Sequence, residues 1–135
     1  MSYILLVEDN QGNADLTIRI LESGGYEVTH VLRGFEGTRL ARSKRPDLIL
    51  LDFDLPDVNG RTLALILRKQ LGDQNAPPIV ALTAKTGDAE VKVAEHFGFA
   101  GFISKPFLPE QLLGIVGRLL NQPNPGFTES QKSKT

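Results

Sequence analysis

The chain has 135 residues, 41% of them apolar and 23% charged, and its 15 basic and 16 acidic side chains leave a net charge of −1. This is the composition of one ordinary globular domain, too short for two comfortable ones, and it carries no basic stripe of the kind that binds nucleic acid or an anionic membrane. With no cysteine, disulfides, thiolate metal sites and cysteine nucleophiles are excluded.

The first apolar run, "YILLV" (3–7), predicts a strand buried on both faces, and Glu8-Asp9 end it abruptly. The acidic pair also leaves "MSYILLVED" without the basic start and apolar stretch of a signal peptide. No run in the chain approaches the length of a membrane span, so a cytoplasmic, soluble protein with no membrane partner is expected. A helix follows over about 11–23, with Leu16, Ile20 and Leu21 at helical spacing for the core and Asp15, Arg19 and Glu22 outside. Gly24-Gly25 break it. "YEVTHV" (26–31) alternates with period two, as an edge strand with one wet face does.

A second helix over 35–44 leads through Pro46 to "DLILLDF" (47–53), again doubly buried. Asn59-Gly60 open a third helix over 60–71. Pro77-Pro78 introduce the strand "PIVALT" (78–83), a fourth helix covers 88–97, and Gly98 precedes "AGFIS" (100–104). Pro109 starts the last helix, 109–121. Residues 1–121 then form one domain. The stretch "NQPNPGFTESQKSKT" after Leu120 has too little apolar surface to offset its ordering entropy, and residues 122–135 read as a flexible tail. Five strand–helix alternations with short connections imply a parallel sheet covered by helices on both faces.

In such a sheet, ligands bind at the carboxyl ends of the strands. Strand one ends in Glu8-Asp9, strand three in Asp52, strand four in Thr83 and strand five in Lys105-Pro106. Strand two ends in His30-Val31-Leu32 and offers little of the kind. Singly, each feature has a plainer reading: an acidic residue after a strand is often a helix cap, Lys-Pro a loop, and a terminal Thr a strand former. Together they are hard to ascribe to accident. Gathered carboxylates repel one another and raise each other's pKa values. A small hard cation such as Mg²⁺ relieves that repulsion, and so does the ammonium of Lys105. A carboxylate flanked by both is suited to attack phosphorus, because the transferring oxygens need positive charge around them.

At this point the sequence resembles the response-regulator receiver domain of two-component signalling, over roughly residues 2–121. The resemblance rests on "LLVEDN" (5–10), "PDLILLDFDLPDVNG" (46–60), "IVALTA" (79–84) and "ISKPF" (103–107), in the family's order and spacing. It implies a flavodoxin-like, doubly wound α/β fold with five parallel strands in order 2-1-3-4-5 and five helices. Asp52 would accept a phosphoryl group from a phosphohistidine on a histidine kinase or histidine phosphotransfer protein and lose it slowly by autodephosphorylation, without multiple turnover. Mg²⁺ or Mn²⁺ would be held by Asp9, Asp52 and the Asp54 backbone carbonyl, and by Glu8 through water. Thr83 and Lys105 would contact phosphoryl oxygens, and Lys105-Pro106 would be a cis peptide. Thr83 and Phe102 would form the switch; Phe102 lacks the hydroxyl of the more familiar tyrosine and could report only by moving inward. The downstream protein target would meet the face of the fourth helix, fifth strand and fifth helix, with the domain a monomer or a phosphorylation-dependent dimer.

Asp54 and Lys85 flank the mouth in that layout and could pair to tune the lifetime of the aspartyl phosphate, with an effect of at most about 1 kcal/mol for an exposed pair. Asp57 is expected to fix its turn or cap the third helix, and His30 and His96 to be packing or surface residues. "LLDFD" also resembles the start of haloacid-dehalogenase-type phosphatases, with Asp52 as nucleophile and Asp54 as general acid. Pro56, the two strand–helix units that precede the motif, and the missing acidic pair after Lys105 argue against that. A receiver that binds partners without being phosphorylated is the third alternative.

Overall fold

The computed structural model describes residues 2–72, 75–84, 87–121 and 128–129. The elements are β1 (Tyr3–Val7), α1 (Gln11–Ser23), β2 (Glu27–Val31), α2 (Gly34–Ser43), β3 (Leu48–Asp52), α3 (Gly60–Leu71), β4 (Ile79–Thr83), α4 (Asp88–His96), β5 (Gly101–Ser104), α5 (Pro109–Asn121) and β6 (Thr128–Glu129). All strands are parallel, in the order β2-β1-β3-β4-β5-β6. The first five reproduce the expected 2-1-3-4-5 order, with the five expected helices. A sixth strand extends this sheet beyond the expected five: two residues of the presumed tail pair with β5, Gly101 opposite Thr128 and Phe102 opposite Glu129. So short a strand needs no apolar face, because it attaches through backbone groups to the open edge of β5.

The central strands β1, β3 and β4 are buried at every residue, which their unbroken apolar runs foretell. Along each strand, successive side chains enter opposite layers. Ile4, Leu6, Leu48, Leu50, Val80, Leu82 and Ile103 pack with Ile20 and Leu21 of α1 and Leu112, Ile115, Val116 and Leu119 of α5. Leu5, Val7, Ile49, Leu51, Ala81 and Phe102 face the other way, onto Ala41 of α2, Leu63, Ala64 and Leu67 of α3, and Ala94 of α4. β2 is the edge strand, with Glu27 exposed and the residues after it half-buried.

Helix α1 sits differently from the sequence expectation. Its buried residues are Ala14, Thr17, Ile20 and Leu21, while Leu16 is 54% exposed. Spacing of three and four from Ala14 through Thr17 to Leu21 forms one stripe, and Leu16 lies about 100° off it. Thr17 can take an inner position because its hydroxyl donates to the Asn13 carbonyl at 3.0 Å and so is not left unpaired. Asn10 caps this helix by accepting from the Asn13 N–H at 2.8 Å, and Asn59 caps α3 by accepting from Arg61 N–H at 2.8 Å.

Candidate functional site

The parallel register brings the ends of β1, β3, β4 and β5 to one edge. Val7 is opposite Leu51, Asp52 opposite Leu82, and Thr83 opposite Ser104, so the residues that follow these pairs emerge together. Glu8 and Asp52 are almost fully buried, at 1% and 6% exposure, and Asp9 is exposed beside them. One carboxylate oxygen from each of the three lies within 4.8 Å of the others. Lys105 reaches into the cluster from the end of β5. Its Nζ donates to Glu8 Oε1 at 2.8 Å and to Asp52 Oδ2 at 3.2 Å, although it lies 97 and 53 residues away in the chain.

The remaining oxygens are met by backbone. The Asn10 N–H donates to Glu8 Oε2 at 3.2 Å, and the Asp54 N–H donates to Asp52 Oδ1 at 3.0 Å. Burial pushes the Glu8 carboxyl above its ordinary value and the neighbouring Asp52 adds to this, while the Lys105 hydrogen bond works against both. For Lys105, burial would lower the pKa. The hydrogen bond to Glu8 and the charges of Asp52 and Glu8 outweigh it, so the ammonium is held above the usual lysine value. Three carboxylates against one ammonium leave an excess of negative charge on an all-oxygen donor set. That chemistry fits a small hard divalent cation rather than a soft one.

Thr83 is fully buried at the end of β4, and its carbonyl accepts from the Lys105 N–H at 2.8 Å. The Lys105-Pro106 peptide is cis. Asp54 turns its side chain to solvent and bridges to Asn59 through backbone. Lys85 lies outside the described residues, and with it the expected pairing to Asp54. An open cleft of about 470 Å³ runs from Asp9 along Phe53, Asp54 and the turn to Asn59, so Asp9 and Asp54 are reachable from this side. Phe102 already points inward at 1% exposure. Its ring stands edge-on to Phe53 at 6.4 Å, and Phe53 in turn meets Phe99 at 5.2 Å.

Two residues do something the sequence did not disclose. Asp57 caps α2, not α3: its carboxylate accepts from the N–H groups of Gly34 at 2.9 Å and Phe35 at 3.1 Å. The position at the start of α3 is filled by Asn59, which leaves the Asp57 side chain free to reach across. His30 is half-buried on β2, and its Nε2 donates to the Glu8 carbonyl at 2.7 Å. The one sequence signal for the first contact is Gly34, where a Cβ would lie 2.3 Å from Val58 Cγ1. His96 is exposed at the end of α4 and far from this edge in the fold.

Over residues 4–117 the sequence matches the family described as the response regulator receiver domain. The chain belongs to that family. Among curated proteins, this receiver domain is 35% identical over 113 residues to the DNA-binding response regulator MtrA of Mycobacterium tuberculosis, a match over 84% of this chain and 48% of that protein. It thus spans about half the length of that relative. Among solved structures, it superposes on the chemotaxis response regulator CheY4 of Vibrio cholerae with a TM-score of 0.82 at 30% identity, covering 89% of this chain and 99% of the other. The receiver domain of sensor histidine kinase PA1611 from Pseudomonas aeruginosa gives 0.81 at 34% identity, covering 90% and 98%. It is described with a magnesium ion coordinated in its active-site cleft. These matches settle the choice against the phosphatase reading of "LLDFD". Receiver domains of this family act with histidine kinases or histidine phosphotransfer proteins.

Proposed function

We propose that this receiver domain accepts a phosphoryl group on Asp52 from a phosphohistidine, and that the acyl phosphate switches a protein-binding face before water removes it. The observation that carries this reading is the Lys105 ammonium shared between buried Glu8 and Asp52, beside the exposed Asp9. An Asp52 oxygen attacks phosphorus as the bond to the donor imidazole breaks, and the imidazole leaves with its electron pair. Lys105 is within reach of the arriving oxygens, and the Thr83 hydroxyl is suited to meet another. Magnesium, when bound by Asp9, Asp52, the Asp54 carbonyl and Glu8 through water, would supply positive charge against the phosphoryl oxygens; manganese would serve as well.

The switch would couple Thr83 to Phe102, and the target would bind across α4, β5 and α5. β6 lies against β5 there, so a target on that face meets the sheet with its edge strand covered. The domain itself is residues 1–121 in this reading, with β6 added from beyond it, and it acts as a monomer or as a phosphorylation-dependent dimer. No described helix is long and apolar enough to cross a membrane, and the reading puts the domain in the cytoplasm with its phosphodonors. If Asp54 and Lys85 pair across the mouth and restrict the hydrolytic water, alanine at either position shortens the phosphoryl half-life severalfold; an unchanged half-life in both variants removes the idea.

Incubation with acetyl phosphate and Mg²⁺ tests the reading. A gain of one phosphoryl group by mass is expected, dependent on the metal and absent in Asp52→Asn. Failure to label contradicts phosphoacceptor function, and multiple turnover of small phosphate esters would return the phosphatase.

A further inference from the structure

The acidic set is split between two loops. Glu8 and Asp9 leave β1, and Phe53 to Asn59 leave β3. Sheet pairing between these two strands ends at Val7 and Leu51, so the ladder does not hold the loops beyond it in mutual register. Lys105 joins the Glu8 and Asp52 side chains; the β1 loop backbone and the far part of the β3 loop are both touched by a third stretch, His30 to Phe35, the end of β2 and the start of α2.

On one side this stretch grips Glu8 by both of its backbone groups. The Glu8 N–H donates to the Val31 carbonyl at 3.1 Å, and His30 Nε2 donates to the Glu8 carbonyl at 2.7 Å. On the other side it grips Asp57, whose two oxygens accept from Gly34 and Phe35, 23 and 22 residues away. The first turn of α2 needs such an acceptor. Its N-cap is Arg33, whose guanidinium has only donors, and Glu36 reaches back only to the Arg33 N–H at 3.2 Å. Gly34 permits the approach, because a Cβ there would lie 2.3 Å from Val58 Cγ1 and 3.0 Å from Leu63 Cδ2. The Asp57 carboxyl is accordingly held below its ordinary value. Burial opposes this, but the N–H groups of Phe35, Gly34 and Asp57 itself, with the Arg33 charge, prevail.

We infer that His30 to Phe35 is a bracket that sets the spacing between the two acidic loops, with His30 and Asp57 as its two fastening residues. Neither side chain belongs to the acidic set of Glu8, Asp9 and Asp52; both would be positioning residues, acting through the Glu8 carbonyl and through the loop that carries the Asp54 carbonyl. The inference rests on the proposed reading of the site as a metal-dependent phosphoacceptor. Outer groups that orient metal ligands are known to matter for affinity as well as for fold.

The test is calorimetric titration of the full chain with Mg²⁺, at a temperature where circular dichroism shows each variant folded. Asp57→Ala and His30→Leu are expected to weaken Mg²⁺ binding by about tenfold, the low end for groups that orient metal ligands. Asp57→Asn keeps one acceptor and His30→Gln keeps a donor, so these should fall between. Labelling by acetyl phosphate should slow in the same order at low Mg²⁺ and recover at saturating Mg²⁺. Wild-type Mg²⁺ affinity in folded Asp57→Ala and His30→Leu, with only a lower melting temperature, would reduce both residues to a cap and a packing contact and overturn the bracket. Should the alanine and leucine variants not fold, wild-type affinity in Asp57→Asn and His30→Gln overturns it equally. Wild-type protein that binds Mg²⁺ but takes no phosphoryl group contradicts the phosphoacceptor reading instead, and leaves the bracket to be judged on the affinities alone.

Discussion

At the scale of single residues, Lys105 holds the site's charges in balance, because Glu8 and Asp52 have almost no water to screen them and meet the same ammonium. Removing it leaves two buried carboxylates facing each other, one of the costlier lesions a protein can carry. Lys105→Ala should therefore lower unfolding free energy at pH 7 by about 1–3 kcal/mol in metal-free buffer, below the roughly 3–5 kcal/mol of a fully buried broken pair because Lys105 keeps some exposure. Added Mg²⁺ should restore part of the loss, since a divalent cation replaces the missing charge. Urea denaturation with and without Mg²⁺ reads both effects; equal stability of the two proteins in metal-free buffer would show that the carboxylates do not need the lysine.

Asp57 gives a pH-dependent counterpart. Its carboxyl ionises more readily in the folded chain than in the unfolded one, so the folded state binds fewer protons there. The resulting stability is complete above the unfolded pKa, about 4, and disappears as pH falls through the lower folded value. Asp57→Ala should cost about 1 kcal/mol at pH 7, the usual worth of a helix cap, and the gap to wild type should close as the pH is lowered below about 4. Thermal melts across that range measure it, and a gap that stays constant with pH would deny the carboxylate its cap role.

Among the elements, the strands and helices were legible because their apolar runs and turn residues agree with each other. "LILLD" is buried at every position and Gly and Pro punctuate the ends. What misled was a single face. Leu16 is the larger side chain, and hydrophobicity alone chooses it over Thr17, yet the hydroxyl of Thr17 finds the Asn13 carbonyl and the stripe of α1 closes over Thr17 instead. Leu16→Ser should accordingly change stability by no more than about 0.5 kcal/mol. Leu50→Ala, at a fully buried position in the same layer, should cost about 2–5 kcal/mol. Denaturant midpoints of the two variants compare them directly, and a large loss in Leu16→Ser would mean that α1 packs through the face the sequence suggested. β6 escaped notice for a different reason: a two-residue strand held by backbone groups leaves no side-chain pattern to read.

For the whole molecule, the site was legible because topology does the gathering. Parallel strands all point their carboxyl ends the same way, so Glu8, Asp9, Asp52, Thr83 and Lys105 meet although they are scattered along the chain, and the order of the motifs is enough to foresee it. The bracket of His30 and Asp57 was not legible, because it depends on how far two loops reach toward the start of α2. Distances between loops follow from packing and from close approaches such as that at Gly34, not from periodicity. The same geometry sets the three carboxylates in different surroundings, and the proposed reading takes Asp52 as the reactive one. Asp9 is exposed and makes no ion pair with the lysine among the described residues, Glu8 is held by Lys105 and the Asn10 N–H, and Asp52 lies between Lys105 and the Asp54 N–H.

That singling out of Asp52 is open to direct chemical measurement. An acyl phosphate is reduced by borohydride to an alcohol, so a phosphorylated aspartate becomes homoserine at the residue that carried the phosphoryl group. After treatment with acetyl phosphate and Mg²⁺, borohydride trapping and peptide sequencing by mass spectrometry should find homoserine at position 52 and at neither 9 nor 54. Homoserine at Asp9 or Asp54, or at no aspartate in a folded, metal-loaded sample, would contradict the assignment.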